Sequence, residues 1–540
     1  MNQIEARSIT VNQIGYPSGD KKFAIFTEPY ESFQITSESG EIFFSGTTSD
    51  SFEDKISGKT LCTGDFSTLT TCGTYQVKTN NSVSSLFEIS DKPYQNLHHG
   101  LLKAFYYFRC GMELDKHYAG PWKHLACHTS KGIVYGEPDR KLDSSGGWHD
   151  AGDYGKYTVA AAKAIADLIL AYEFYPDAFK RPIPIPETDN LMPDVLHECR
   201  YELEWLFKMQ DEHTGGVFHK LTTLKFPGLD VMPEDDLAEL YFSPISSTAT
   251  GTFTAIMAVA ARVYNPFDSS FSERCLHASI LAADWLTNNP DFPGFKNPSE
   301  VTTGEYGDYQ DSDERFWAMA ELYRTTGNKK YHASLKQLVL EPFEKYSLGW
   351  KHVGGYGTLA YLLTNQTDVD ASLYTELKAG LIEEANVLVT QSDMDGFLIS
   401  LKENQYIWGS NMLVMNHAMI LLVAYHFTGN TKYEAAALEH LHYILGRNVH
   451  DISFVTGFGD RSVMHHHHRP SVADKVADPV PGLLSGGPDR GLNDDYVKEH
   501  LRGLAPAQCF VDHEDSYSTN EVTIYWNSPA VFVVSHWTSK

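Results

Sequence analysis

No stretch of this chain offers the about 18 uninterrupted apolar residues that a bilayer-crossing helix needs, which excludes a protein anchored by such a helix. Basic residues are in short supply: 43 Lys and Arg stand against 70 Asp and Glu, for a net charge of -27. A body of that sign repels nucleic-acid phosphates and anionic membrane surfaces, and leaves a neutral or cationic small molecule as the expected partner. Cysteine is sparse as well. Seven, an odd number at irregular positions along 540 residues, do not make a disulfide framework and point to reduced thiols or metal ligands. The start, Met1 to Arg7, lacks the basic, apolar and small-residue succession of a secretory signal, so a soluble, cytoplasmic protein is expected. Oligomeric state is not legible.

What is present is an ordinary globular composition, 42% hydrophobic and 21% charged, on more chain than one core needs, so two domains are expected. From Ser8 to about Asp91 short β-rich runs alternate with turn residues, as in Lys22 to Phe26, Phe33 to Ile35, Glu41 to Phe44 and Thr74 to Val77. That pattern predicts a small β-sandwich over 1–92. After Lys92-Pro93 apolar residues recur at helical spacing, at Leu101 to Cys110, Tyr157 to Tyr175, Val195 to Gln210, Thr248 to Tyr264, Cys275 to Thr287, Arg315 to Thr326, Leu373 to Thr390, Asn411 to Thr428 and Tyr433 to Leu445. A mainly helical domain over 93–540 follows. The near copies Thr326-Gly327-Asn328-Lys329-Lys330-Tyr331 and Thr428-Gly429-Asn430-Thr431-Lys432-Tyr433 mark helix hairpins, which build either an open solenoid or a closed toroid.

Two segments carry candidate chemistry. In Gly146-Gly147-Trp148-His149-Asp150-Ala151-Gly152-Asp153, two carboxylates three residues apart on a glycine-rich loop can hold one water between them, as a general base for sugar hydrolysis must. The structural alternative is that Asp153 caps the following helix while Asp150 binds backbone amides or a cation. Near the other end, in Phe510 to Ser528, Glu521 lies among aromatic and apolar residues that can keep a carboxyl protonated for use as an acid, or it pairs with an arginine.

These two segments resemble the paired catalytic signatures of family 9 glycoside hydrolases, the cellulase family E. The resemblance continues in order through Trp408-Gly409-Ser410-Asn411, Leu445-Gly446-Arg447-Asn448 and Ser453 to Gly459, covering nearly the whole chain. It implies a mainly α fold, an (α/α)6 toroid preceded by the immunoglobulin-like β-sandwich that Ile9 to Tyr16 resembles. It also implies an inverting mechanism in which Asp153 matches the general base, Asp150 the second carboxylate on the water, Glu521 the general acid and Asp512 an acidic residue that orients the site. Inversion requires roughly 6.5 to 9.5 Å between acid and base carboxylates.

The run Met464-His465-His466-His467-His468-Arg469 would by composition suggest a surface metal tract. In the family pattern a His and an Arg here bind sugar hydroxyls, and His467 and Arg469 fall on those places; His466 departs from the apolar residue or Pro usual beside them. Trp148, Trp408, Tyr517 and Trp526 lie within or beside the motifs and are candidate platforms for sugar faces, Trp408 foremost. Cys110, Cys127, His128 and His149 are a tetrahedral donor set in kind, though their spacing also fits buried thiols and hydrogen-bonded imidazoles. Structural zinc is common in the family, and the resemblance implies that these four hold it. Calcium, also common there, has no ligands that can be named, and no organic cofactor is expected.

For the substrate, a chain without export signal would meet short imported oligosaccharides, which points to exo action on β-1,4-linked gluco- or glucosamine oligomers. The insertions His219 to Pro244 and Asp478 to Leu501 are long enough to block one end of a cleft. The alternatives are an endo-acting cellulase, a glycoside phosphorylase, which would need a phosphate site, and a non-catalytic sugar-binding protein. The N-terminal sandwich is expected to stabilise its neighbour by packing.

Overall fold

A computed structural model describes residues 6–189 and 191–540. Met1 to Glu5, where an export signal was sought, lie outside the described residues. Among the described residues no helix is long and apolar enough to cross a membrane.

By contact density the chain divides into two compact units. One runs up to Ala104 and resumes at Glu384; the other is Phe105–Glu383. The first opens with the predicted sandwich. Strands Ile9–Thr10, Phe23–Phe26, Lys59–Asp65 and Phe52–Asp54 make one sheet, and Gly15–Pro17, Phe87–Ser90, Gly73–Lys78, Ser32–Thr36 and Ile42–Thr47 the other. Alternation supplies the core: Phe33, Ile35, Tyr75, Val77, Phe87 and Ile89 meet Ala24, Phe26 and Cys62 from the opposing sheet.

The sandwich is keyed to the helices of its own unit by Asn12 and Gln13. Asn12 Nδ2 lies 2.9 Å from His442 Nδ1 and donates to Tyr94 Oη at 3.1 Å. The Gln13 amide donates to the Leu445 carbonyl at 2.8 Å, and Gln13 Oε1 accepts from the Arg461 amide at 2.8 Å. His442 and Leu445 belong to helix Thr431–Ile444 and its end, which packs with Ser410–Thr428 and Ile524–Ser539. In both hairpins a left-handed glycine (Gly327, φ 66°; Gly429, φ 67°) ends one helix, and an asparagine (Asn328, Asn430) caps the next.

The second unit contains helices Thr158–Phe174, Asp194–Met209, Ser247–Tyr264, Ser269–Asn288 and Ser312–Thr326, with shorter Lys329–Leu338 and Gly354–Leu362. It also holds a five-stranded sheet in the order Glu137–Asp143, Lys131–Val134, Tyr241–Phe242, Lys220–Thr222, Lys156–Tyr157. Strands of two to seven residues leave little periodicity to read, which is why the sequence did not predict this sheet. It matters for the site because it sets Tyr157 directly opposite Lys220.

Candidate active site and metal centre

The loop bearing Asp150 and Asp153 is held from both sides. Gly147 has φ 79°, and a Cβ there would lie 2.7 Å from Trp205 Cγ, so only glycine fits. The Cys110 amide donates to Gly147 O and the His149 amide to Phe108 O, each at 2.7 Å, while Lys156 Nζ donates to Ser144 O and Gly146 O at 2.7 Å. Trp148 is 1% exposed, packs on Phe105 and donates its indole N–H to Glu198 at 2.9 Å. It is therefore an anchor of the loop and not the sugar platform its place in the motif suggested. Trp526, 2% exposed, is also core.

Within the loop the Asp150 amide donates to Gly155 O at 2.9 Å, and Asp153 Oδ2 accepts from the Gly155 amide at 2.8 Å and from Tyr157 Oη at 3.3 Å. Helix Thr158–Phe174 begins with Tyr157 as its cap residue, so Asp153 is not the helix cap. Asp150 Oδ2 accepts from Tyr306 Oη at 2.6 Å, whereas Asp150 Oδ1 is buried with no hydrogen-bond partner. Burial, then the neighbouring charge of Asp153, pushes the Asp150 carboxyl well above the usual carboxylate range. A buried acid holding a proton beside a second carboxylate can grip a water that the second one deprotonates. Tyr306 was not foreseen. It arrives from a loop more than 150 positions away with no motif of its own, φ 47°, its ring tilted against Tyr157 at 4.6 Å and edge-on to Trp350 at 4.8 Å.

Behind this loop Cys110, Cys127, His128 and His149 converge, all buried, with one donor atom of each within 4.8 Å of the others. Two thiols and two imidazoles so disposed fit a single tetrahedral cation. His128 turns its second ring nitrogen to Asp236 at 3.4 Å, the outer partner that fixes a ligating imidazole. Burial holds His149 down to about 4, so it presents a neutral imidazole.

In the other unit Glu521 follows the short helix Tyr517–Asn520 and is half-buried. Its main chain bridges to His467, and its carbonyl accepts from the Gly486 amide at 2.9 Å. Asp512 is partly exposed, and its oxygens accept from the amides of Met464 (2.9 Å) and His465 (2.8 Å) and from Asn520 Nδ2 (3.0 Å), tying the histidine run to the segment before Glu521. His467 Nδ1 donates to Glu514 O at 2.6 Å, and Arg469 opens a short helix, largely buried. Trp408 is 43% exposed, with Tyr517 5.2 Å away and His467 5.9 Å beyond Tyr517, an open aromatic surface of the kind a sugar face stacks on.

Comparison with known proteins decides what these parts belong to. Residues 94–534 match the profile of Glycosyl hydrolase family 9, and residues 5–84 that of the Cellulase N-terminal ig-like domain. The chain belongs to glycosyl hydrolase family 9. It is a glycoside hydrolase with that family's (α/α)6 barrel fold and an N-terminal immunoglobulin-like domain. A curated cellodextrinase of Butyrivibrio fibrisolvens is 38% identical over 98% of this chain and 99% of its own length. The structure of AaCel9A in complex with cellobiose-like isofagomine superposes with TM-score 0.93 at 40% identity, covering 99% of this chain and 100% of that one. A Zn-binding triple mutant of the family 9 endoglucanase J30 superposes with TM-score 0.92 at 31% identity, covering 97% of this chain and 99% of that one.

Proposed function

We propose that this family 9 hydrolase cleaves short β-1,4-linked gluco-oligosaccharides from a chain end, with inversion at the anomeric carbon. The observation that carries the reading is the unequal aspartate pair: Asp150 is buried, with one oxygen held by Tyr306 and the other unpartnered, and burial and Asp153 push its carboxyl well above the usual range. Asp150, fixed by Tyr306, holds the water. Asp153 takes the water's proton as its oxygen attacks the anomeric carbon, and Glu521 gives a proton to the departing glycosidic oxygen. Trp408, Tyr517, His467 and Arg469 bind the sugar rings, and Asp512 positions the loop that brings His467.

Action on short chains is supported by the named activity of the 38% identical cellodextrinase and by the insertion after Lys220. Phe226, Pro227, Asp236 and Leu240 of that insertion close on Asp153 and Tyr154, leaving a space of about 10 Å³, and Tyr154 Oη donates to Val231 O at 2.6 Å. A segment so anchored beside the base limits how far a chain can extend there. The second reading, endo cleavage, is favoured by the endoglucanase J30 among the structural neighbours.

Cys110, Cys127, His128 and His149 hold a zinc ion in this reading. Such an ion would be held by these four side chains, and its contribution would be to fix the loop that carries Asp150.

Proton NMR of fresh digests of cellobiose, cellopentaose and the β-1,4 glucosamine dimer, with Glu521→Gln as control, tests the proposal. Early α-anomer excess with glucose released stepwise supports inversion and exo action. Mid-chain products from cellopentaose assign endo action, turnover of the glucosamine dimer alone moves the substrate class, and β-anomer excess overturns the mechanism.

A further inference from the structure

Ser516, Ser518, Thr519 and Asn520, which lead into Glu521, are all fully buried, so a turn made largely of small polar side chains must find its hydrogen-bond partners inside the protein. Asn520 is held by Asp512 and the His465 carbonyl. The two serines are taken by Asp494, a buried residue of the insertion Asp478 to Leu501. Its Oδ2 accepts from Ser518 Oγ at 2.7 Å, the Ser518 amide at 2.9 Å and Ser516 Oγ at 3.1 Å, and Ser516 Oγ lies 2.7 Å from Thr519 Oγ1. Asp494 Oδ1 accepts from the Val497 amide at 2.8 Å and so caps helix Asp495–His500. Next to it, the Asn493 carbonyl accepts from Tyr517 Oη at 3.1 Å. The capped helix is itself fastened: Val497, Leu501 and Val511 form a small core of their own, and the Asp489 amide donates to Cys509 O at 2.9 Å. Asp494 has no part in the chemistry described so far, and it belongs to neither signature segment.

We infer, on the reading that Glu521 is the general acid, that Asp494 is its positioning residue: by gripping Ser516 and Ser518 it fixes the turn Tyr517–Asn520, and through it the direction in which the Glu521 side chain leaves the main chain. The turn is short enough to transmit the grip. The Asn520 amide donates to Ser516 O at 3.0 Å and the Glu521 amide to Tyr517 O at 3.3 Å, so a shift at the serines reaches Glu521 within one turn. A displacement of about 1 Å at a reacting group can cost about 10²-fold in rate. The chemistry of the contacts calls for a carboxylate, which accepts at both oxygens and here faces four hydrogens, two of them on main-chain amides. Asparagine, whichever way its amide is turned, would point an N–H at the Val497 amide or at the donors of Ser516 and Ser518. Tyr517 of the same turn lies 5.2 Å from Trp408, so one brace aligns the acid with the aromatic surface proposed to bind sugar.

Leaving groups separate this role from a purely structural one, because a strongly acidic phenol departs without a proton whereas a sugar hydroxyl does not. The full chain and its Asp494→Ala, Asp494→Asn and Glu521→Gln variants are compared on cellopentaose and on dinitrophenyl β-cellobioside. Asp494→Ala should lose roughly 10²-fold in kcat on cellopentaose at nearly constant KM, and no more than about threefold on the aryl glycoside. Asp494→Asn, which keeps part of the grip, should fall between it and wild type. In the Glu521→Gln background, where no acid is left to misplace, Asp494→Ala should cost little more. Equal losses on the two substrates, no loss on cellopentaose, or a full further loss in the double variant each overturns the inference. If Asp494→Ala does not fold, Ser518→Ala removes one donor to Asp494 and should show the same bias between substrates at smaller size; an even ratio overturns the inference equally. Glu521→Gln losing equally on both substrates would instead overturn the acid assignment, a result separate from any of these.

Discussion

The two segments that carry the carboxylates are built on opposite plans. The Asp150 loop is buried, glycine-rich and laced by hydrogen bonds to Phe108, Cys110 and Lys156, with a metal-ligand set at its back. In the other segment Glu521 is half-buried between fully buried neighbours, and it is held chiefly through Asp512 and main-chain contacts to the histidine run, beside the open aromatic surface of Trp408 and Tyr517. The difference follows from the tasks proposed for them. Holding a water at a fixed point needs rigidity and a low dielectric, which also splits the proton affinities of two neighbouring carboxylates. Giving a proton to a leaving group that must then depart needs a segment sugar can reach.

The strongest way to break that comparison is to neutralise the carboxylates singly. Asp153→Asn and Glu521→Gln should each lower kcat by roughly 10³ to 10⁴ with intact folding by circular dichroism. Asp150→Asn should cost less, because burial favours the uncharged form of Asp150 and asparagine is uncharged and keeps its shape. Equal losses for Asp150→Asn and Asp153→Asn in steady-state assays would show that the pair is not divided in this way.

A smaller but broader effect is expected from the metal set. Elemental analysis of protein never exposed to chelator should find roughly one zinc per chain, and Cys110→Ser should abolish it and lower Tm by several degrees. Its activity should fall mainly through the Asp150 loop, leaving KM little changed; full zinc content in the variant would remove Cys110 from the set. Smaller again is the contrast between two tryptophans. Trp148→Ala, in the core, should cost about 3 to 5 kcal/mol of stability in denaturant titrations, whereas Trp408→Ala should leave Tm in place and raise KM roughly five- to tenfold.

The same contrast shows what a sequence discloses. Long amphipathic helices and alternating strands such as Ser32–Thr36 announce themselves by period, and the Gly-Asn hairpins by their caps. The short helices Lys329–Leu338 and Gly354–Leu362 and the five-stranded sheet span too few residues for a period to emerge. The four metal donors could be named only through the resemblance to the family, because their wide spacing alone fits buried thiols and hydrogen-bonded imidazoles, and only the fold brings Cys110 to His149. Tyr306 could not: a tyrosine in a loop carries no mark of the carboxylate it meets. Trp148 was misplaced because nearness in a motif was taken for nearness to substrate. In a loop of glycines, the large side chain is what fastens the loop to the core.

The finest test of the contrast between the two segments is the pH dependence of stability at Asp150. Its folded-state carboxyl is raised, first by burial and then by Asp153, above the value near 3.9 that an unfolded aspartate has. The folded state therefore binds the proton more tightly than the unfolded one. That contribution is fully present below the unfolded value and is lost as pH rises through the folded one. Asparagine cannot ionise, so Asp150→Asn should gain on wild type as pH rises from 4, by about 1.4 kcal/mol per unit within the window. Denaturant titrations of both proteins from pH 4.5 to 8 measure this difference directly. A constant difference would mean that Asp150 is ionised in the folded protein, and that burial has not divided the pair between a holder and a base.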